Sequence, residues 1–199
     1  MKSSLPRSIV RWTALEAALL LALVALGCSG ANGAVDPDAA SAGAAEEEGP
    51  VLVGVTTRQA IEEAVPGWPE ATAEADLFEE DAGALAGVPP GADVTVFLGT
   101  WCSDSRREVP RFWRALDQAQ RSGRSLPFEV EYVAVDREKE EPAERIGPAG
   151  VEYVPTFIVR RDGQEVGRIV ESSPGGIERD LLALLEGYAY GVLSGRDDL

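Results

Sequence analysis

The chain has 199 residues, 45% of them hydrophobic, and its 34 acidic against 18 basic side chains give a net charge of −16. A surface this acidic repels nucleic acid and anionic lipid head groups, which excludes a nucleic-acid partner. Histidine is absent and the only cysteines are Cys28 and Cys102, so His-based triads, Cys–His dyads and a zinc site are excluded, and no metal or other cofactor is implied.

The N-terminus sets Lys2, Arg7 and Arg11 before the apolar stretch ALEAALLLALVALG, which ends at Cys28. That order is the pattern of a secretory signal. A retained signal anchor is the alternative, but the run is short for a bilayer span of about 20 residues. The stretch ALGC, Ala25 to Cys28, resembles the lipobox of bacterial lipoproteins, with Ala25 in place of the usual leucine. The resemblance implies removal of residues 1–27, lipidation of Cys28, and a cell-envelope location facing outside the cytoplasm. Ser29 then implies the periplasmic face of the outer membrane where the envelope has two membranes. The cleaved chain keeps 15 basic and 33 acidic residues, a net charge of −18, so its membrane link is the lipid anchor alone.

Residues 28–49 are small and acidic with almost nothing to bury, and they read as a disordered tether. The remainder, about 150 residues from Pro50, suffices for one domain with its own core. Residues 50–92 read as its N-terminal extension and 93–199 as the domain proper. In chain order, VLVGV (51–55) predicts a short strand. Thr56 and Gln59 then make a capping-box spacing before the helix RQAIEEAV, which PGWP ends. Residues 67–92 read as helix fragments broken by GVPPG. VTVFL (94–98) is a continuous apolar run, the mark of a strand buried on both faces. After Cys102, the spacing of Val109, Phe112, Trp113 and Leu116 predicts a helix lying on that strand. FEVEYVAVD (128–136) predicts a second strand, and EKEEPAERI a helix with a proline break. PTFIVRRDGQEVGRIVE reads as a hairpin turning at Asp162-Gly163. An amphipathic helix started by Ser173 and Pro174 closes the domain, with Ile177, Leu181, Leu184, Leu185 and Tyr188 on its apolar face. This order predicts an α/β fold with a mixed central sheet and helices on both faces.

An apolar strand running into Trp101-Cys102, a helix starting there, Pro110 eight residues on, and a later VPT opening a hairpin together resemble thioredoxin-like proteins. TWCSDS followed by REVPRFW is closer still to domains carrying a C-x-D-S variant of the active-site motif. The resemblance implies a thioredoxin-like three-layer sandwich over roughly residues 93–190. It also implies that Cys102 is the nucleophile, that Trp101 flanks it, and that Pro155 is a cis-proline beside the site. Pro110 matches a kink in the active-site helix. Two departures stand out. Ser105 replaces the resolving cysteine, and Val96 stands where many thioredoxins bury an acid. Both losses point away from a dithiol cycle.

Chemistry adds its own reading. A helix N-terminus stabilises a thiolate through its N–H groups and dipole. Arg106 and Arg107 in the first turn add to this, Asp104 opposes them, and the Ser105 hydroxyl is placed to donate to the thiolate. Helix capping is the plain alternative for Asp104 and Ser105, and an inert buried thiol the alternative for Cys102. Three functions compete. The first is monothiol thiol–disulfide exchange through Cys102 with exported cysteine-containing proteins or small thiols, resolved by an external thiol. The second is a non-catalytic module that binds exported polypeptides beside Pro155. The third, a thiol peroxidase-like activity, is weakest because no proline-threonine run leads into Cys102. Nothing in the pattern specifies an oligomer.

Overall fold

The computed structural model describes residues 49–121 and 123–199. The signal segment, Cys28 and nearly all of the tether lie outside the described residues. Among the described residues, six strands and six α-helices follow in the order β1 (Gly54–Thr56), α1 (Arg58–Ala64), α2 (Gly67–Glu74), α3 (Glu79–Ala84), β2 (Ala92–Leu98), α4 (Ser103–Gln120), β3 (Phe128–Ala134), α5 (Ala143–Ala149), β4 (Thr156–Arg161), β5 (Gln164–Val170), α6 (Ile177–Glu186) and β6 (Gly191–Ser194). A 3₁₀ turn over Leu85–Gly87 leads into β2.

The strands form one mixed sheet in the order β1-β3-β2-β4-β5-β6. β2 runs parallel to β3 and antiparallel to β4, so Val96 faces Tyr132 on one side and Phe157 on the other. The apolar run of β2 is explained by this place: Val94 to Leu98 is flanked by strands on both edges and covered on both faces. Val94, Val96 and Leu98 pack with α4, α6 and the helices before β2, whereas Phe97 joins Val133, Ile158 and Ile146 of α5 on the opposite face. The sandwich expected from the sequence is therefore present, with α5, among the described residues, alone on one face.

α4 is buried along one face. Its predicted apolar positions Val109, Phe112, Trp113 and Leu116 are all buried, and Trp68 of α2 packs on Trp113 with ring centres 5.4 Å apart. Arg58 lies 4.9 Å above the same ring and pairs with Asp117 at 2.6 Å. Thus residues 54–84 supply an edge strand and a cover for α4.

Local corrections follow from tertiary context. Thr57, not Thr56, caps α1, because Thr56 is held in β1; the Thr57 hydroxyl accepts the Ala60 N–H at 3.2 Å. PGWP begins α2 rather than only ending α1. α5 starts after Pro142, so the acidic run before it is a loop. α6 is capped at Gly176, while the Ser173 hydroxyl bonds instead to Asp180. Gly187 ends α6 in a left-handed conformation, which leaves Tyr188 outside the helix and exposed. β6, which the sequence did not announce, then pairs parallel to β5.

Tyr132 provides a stability test. Its hydroxyl accepts the Trp113 indole N–H at 3.1 Å in the core, and burial pushes it from 10.0 up to about 12 against the opposing effect of that hydrogen bond. A folded value above the unfolded one means that stability is intact below pH 10 and is lost as pH rises toward 12. At about 1.4 kcal/mol per unit, the loss amounts to about 2–3 kcal/mol. Denaturant melts across this range should show it in the natural chain and not in Tyr132→Phe. Below pH 10 the variant should be less stable by about 1–3 kcal/mol, because the Trp113 N–H loses its acceptor, and the gap should close as pH rises toward 12. An unchanged alkaline slope in Tyr132→Phe would assign the transition to other groups.

Candidate functional site

The site is built where β2 ends. Gly99 follows Leu98, and a Cβ there would lie 2.7 Å from the Trp101 ring, so only glycine lets the indole fold against the backbone. The Gly99 carbonyl accepts the Cys102 N–H at 3.0 Å, which turns the chain sharply into α4. Thr100 is fully buried; its hydroxyl donates to the Pro50 carbonyl at 2.8 Å and accepts the Leu52 N–H at 3.2 Å. The turn is thereby clipped to the first residues of the domain. Trp101 is half-buried, its indole N–H donates to the Val135 carbonyl at 3.0 Å, and the Arg137 guanidinium lies 5.8 Å from the ring centre. Beside Arg137, the Glu141 and Glu140 amides hold the Asp136 carboxyl below the usual carboxylate range.

Cys102 is the N-cap residue of α4, an 18-residue helix, and its side chain makes no capping hydrogen bond to that helix. The thiol is half-buried and donates to the Val154 carbonyl at 3.2 Å. It is the only free cysteine among the described residues. The Val154–Pro155 bond is cis, so Pro155 follows directly on the carbonyl that meets the sulfur. Ser105, one turn into the helix, is completely buried, and its hydroxyl accepts the Gly99 N–H at 3.1 Å. It supports the turn. Val96 is equally buried, within β2.

The charged neighbours divide in a way that spacing did not reveal. Arg107 is drawn from the thiol to Asp104 at 2.7 Å and Glu108 at 2.8 Å, and the Glu108 bond is the main reason its guanidinium is held more firmly protonated than usual. Asp104 is thus largely offset by Arg107. Arg106 folds back over the turn, where its Nε donates to the Thr100 carbonyl at 3.2 Å. The structure brings Trp101, Cys102 and Pro155 together, places Ser105 beneath them, and leaves Asp104 and Arg106 on the rim. Sequence reasoning missed the Val154 carbonyl and the Thr100 clip. A main-chain acceptor has no residue signature, and a threonine bonded to a segment 50 residues away has none either. Among the described residues no group of three or more His, Cys, Asp or Glu side chains is arranged to hold a metal ion.

No protein-family model matches the chain. Over 99 residues, 50% of this chain, it is 25% identical to a thioredoxin-like protein of Acanthamoeba polyphaga mimivirus, of which it spans 66%. The fold is thioredoxin-like. Looser similarity extends to the crystal structure of a protein of unknown function from Pseudomonas aeruginosa, 16% identical with a TM-score of 0.46, covering 65% of this chain and 86% of that one. An HIV epitope-scaffold is 14% identical with a TM-score of 0.42, covering 68% of this chain and 85% of that one.

Proposed function

We propose that this thioredoxin-like domain performs monothiol thiol–disulfide exchange through Cys102. The observation that carries the reading is a half-buried thiol at the start of a long helix, with a serine in the buried position one turn on. The Cys102 thiolate attacks one sulfur of a partner disulfide, a new sulfur–sulfur bond forms, and the other partner sulfur leaves as a thiolate. An external thiolate then attacks the mixed disulfide and returns Cys102 to its reduced form. Ser105 cannot make that second attack, because a hydroxyl does not displace a thiolate under these conditions. The substrates in this reading are exported cysteine-containing proteins or small thiols. In acid-quenched cells, non-reducing gels should show slower bands of this protein that collapse on reduction. Their absence under oxidising growth would defeat the reading.

The ALGC motif supports lipidation of Cys28 and anchoring in the cell envelope, with the domain outside the cytoplasm. Among the described residues no helix is long and apolar enough to cross a membrane. Mass spectrometry of the N-terminal peptide should find a mature chain starting at an acylated Cys28. An unmodified peptide starting elsewhere would contradict it.

A further inference from the structure

After α6, the chain returns along β5 as β6, and two residues later presents Arg196. Its Nη1 lies 2.8 Å from Glu171 Oε2, and its guanidinium carbon is 4.2 Å from the centre of the Tyr153 ring. Asp198 receives two further bonds from the same group, at 2.8 and 2.6 Å. The Glu171 N–H in turn donates to the Pro155 carbonyl at 2.8 Å. Val154, between Tyr153 and Pro155, is the residue whose carbonyl accepts the Cys102 thiol at 3.2 Å. One side chain from the C-terminal segment therefore grips the 153–155 loop twice, directly on Tyr153 and through Glu171 on Pro155.

A second observation marks the same contact. Glu171 has φ of 58°, in the left-handed region that a non-glycine residue keeps only when its surroundings hold it there. Its carboxylate is held by Arg196, and the neighbouring Ser172 carbonyl accepts the Gly195 N–H at 3.1 Å. The C-terminal segment thus holds the two residues that follow β5, of which Glu171 bonds to the 153–155 loop.

We propose that Arg196 is a positioning residue that sets the Val154 carbonyl against Cys102 and thereby restrains release of the thiol proton. The proposal rests on the reading of Cys102 as a reactive thiol. A hydrogen bond donated by the thiol to a carbonyl favours the protonated form, so slackening the loop favours the thiolate. The charged groups of the elements that meet at this turn, Asp104 and Arg106 on α4 and Asp136 and Arg137 after β3, are unaltered by a change at Arg196.

The test uses the natural chain, Arg196→Gln, Arg196→Lys and Asp198→Asn. In Arg196→Gln the pH profile of Cys102 alkylation should move to lower pH, with a rate at pH 7 raised about threefold, because a loosely exposed ion pair and a cation–ring contact carry only modest energies. Hydrogen exchange at the Glu171 amide should rise about fivefold as its local opening becomes easier. Arg196→Lys should restore both, since an ammonium still pairs with Glu171 over the Tyr153 ring. Asp198→Asn should change neither, because the grip on Tyr153 and Glu171 remains. Unchanged exchange and an unmoved profile in Arg196→Gln would overturn the proposal. So would a rate that rises equally at all pH values, which reports exposure alone. If exchange rises but Cys102 is unreactive at every pH even in the natural chain, the thiol reading fails, and Arg196 is a brace of the fold without a tuning role.

Discussion

Replacing Ser105 by cysteine is expected to turn a protein that retains its partner into one that releases it. Positions 102 and 105 lie one turn apart at the start of α4, with Cβ atoms about 5–6 Å apart in ordinary helix geometry. A disulfide needs roughly 4 Å between them, so a small closure suffices. The new thiol would lie in the fully buried position that Ser105 occupies, beneath the half-buried Cys102 sulfur. Its attack on a mixed disulfide is intramolecular, and the lifetime of the adduct without added thiol should fall by at least about a hundredfold. Insulin reduction coupled to a reductase system should appear in the variant and be negligible in the natural chain. The gain is bounded from two sides. Val96, which stands where the resemblance implies a buried acid, offers no carboxylate to take up a proton, and a thiol is a poorer acceptor than a hydroxyl for the Gly99 N–H, which costs about 1 kcal/mol of stability. Adduct lifetimes that do not change in Ser105→Cys would mean that resolution is limited by access rather than by the missing thiol.

Cys102→Ser is expected to remove every disulfide-linked species, an all-or-none effect. The substitution is nearly neutral for folding. The site is half-buried, and a serine hydroxyl donates to the Val154 carbonyl as the thiol does, so the change in stability should stay within about 1 kcal/mol. Loss of the bands with an unchanged melting temperature therefore reports chemistry and not unfolding. If partner capture and cellular phenotype persist in Cys102→Ser, the domain acts as a binding module for exported polypeptides. Substitutions at Trp101 and around Pro155 should then carry the effect.

The parts of this fold that could be read from the sequence are those fixed locally. Val94 to Leu98 carries the mark of a strand buried on both faces, the spacing of Val109, Phe112, Trp113 and Leu116 fits one helix face, and Asp162-Gly163 favours a tight turn. What could not be read depends on distant partners. Thr56 and Thr57 are indistinguishable as caps until β1 pairs with β3 and claims Thr56. Tyr188 keeps the helical period of α6, but the left-handed Gly187 ends the helix first. Glu108 and Glu178 are buried because Arg107 and the Phe78 amide meet them, neither of which an alternation of polar and apolar residues reveals. The site divides in the same way. The motif located Cys102 and the turn around it. The roles of its neighbours were set by geometry: Arg107 turned to Asp104 and Glu108, Ser105 turned to the Gly99 amide, and the thiol met a main-chain carbonyl.

The most direct test of a lone reactive thiol is the intact mass of the purified protein after reaction with glutathione disulfide. One glutathione should attach, at Cys102, and should remain after the free disulfide is removed. Added thiol should then release it within the dead time of a manual assay, and Cys102→Ser should take up none. A natural chain that forms no adduct at neutral pH, or one that sheds its adduct without any external thiol, would contradict monothiol exchange at this site.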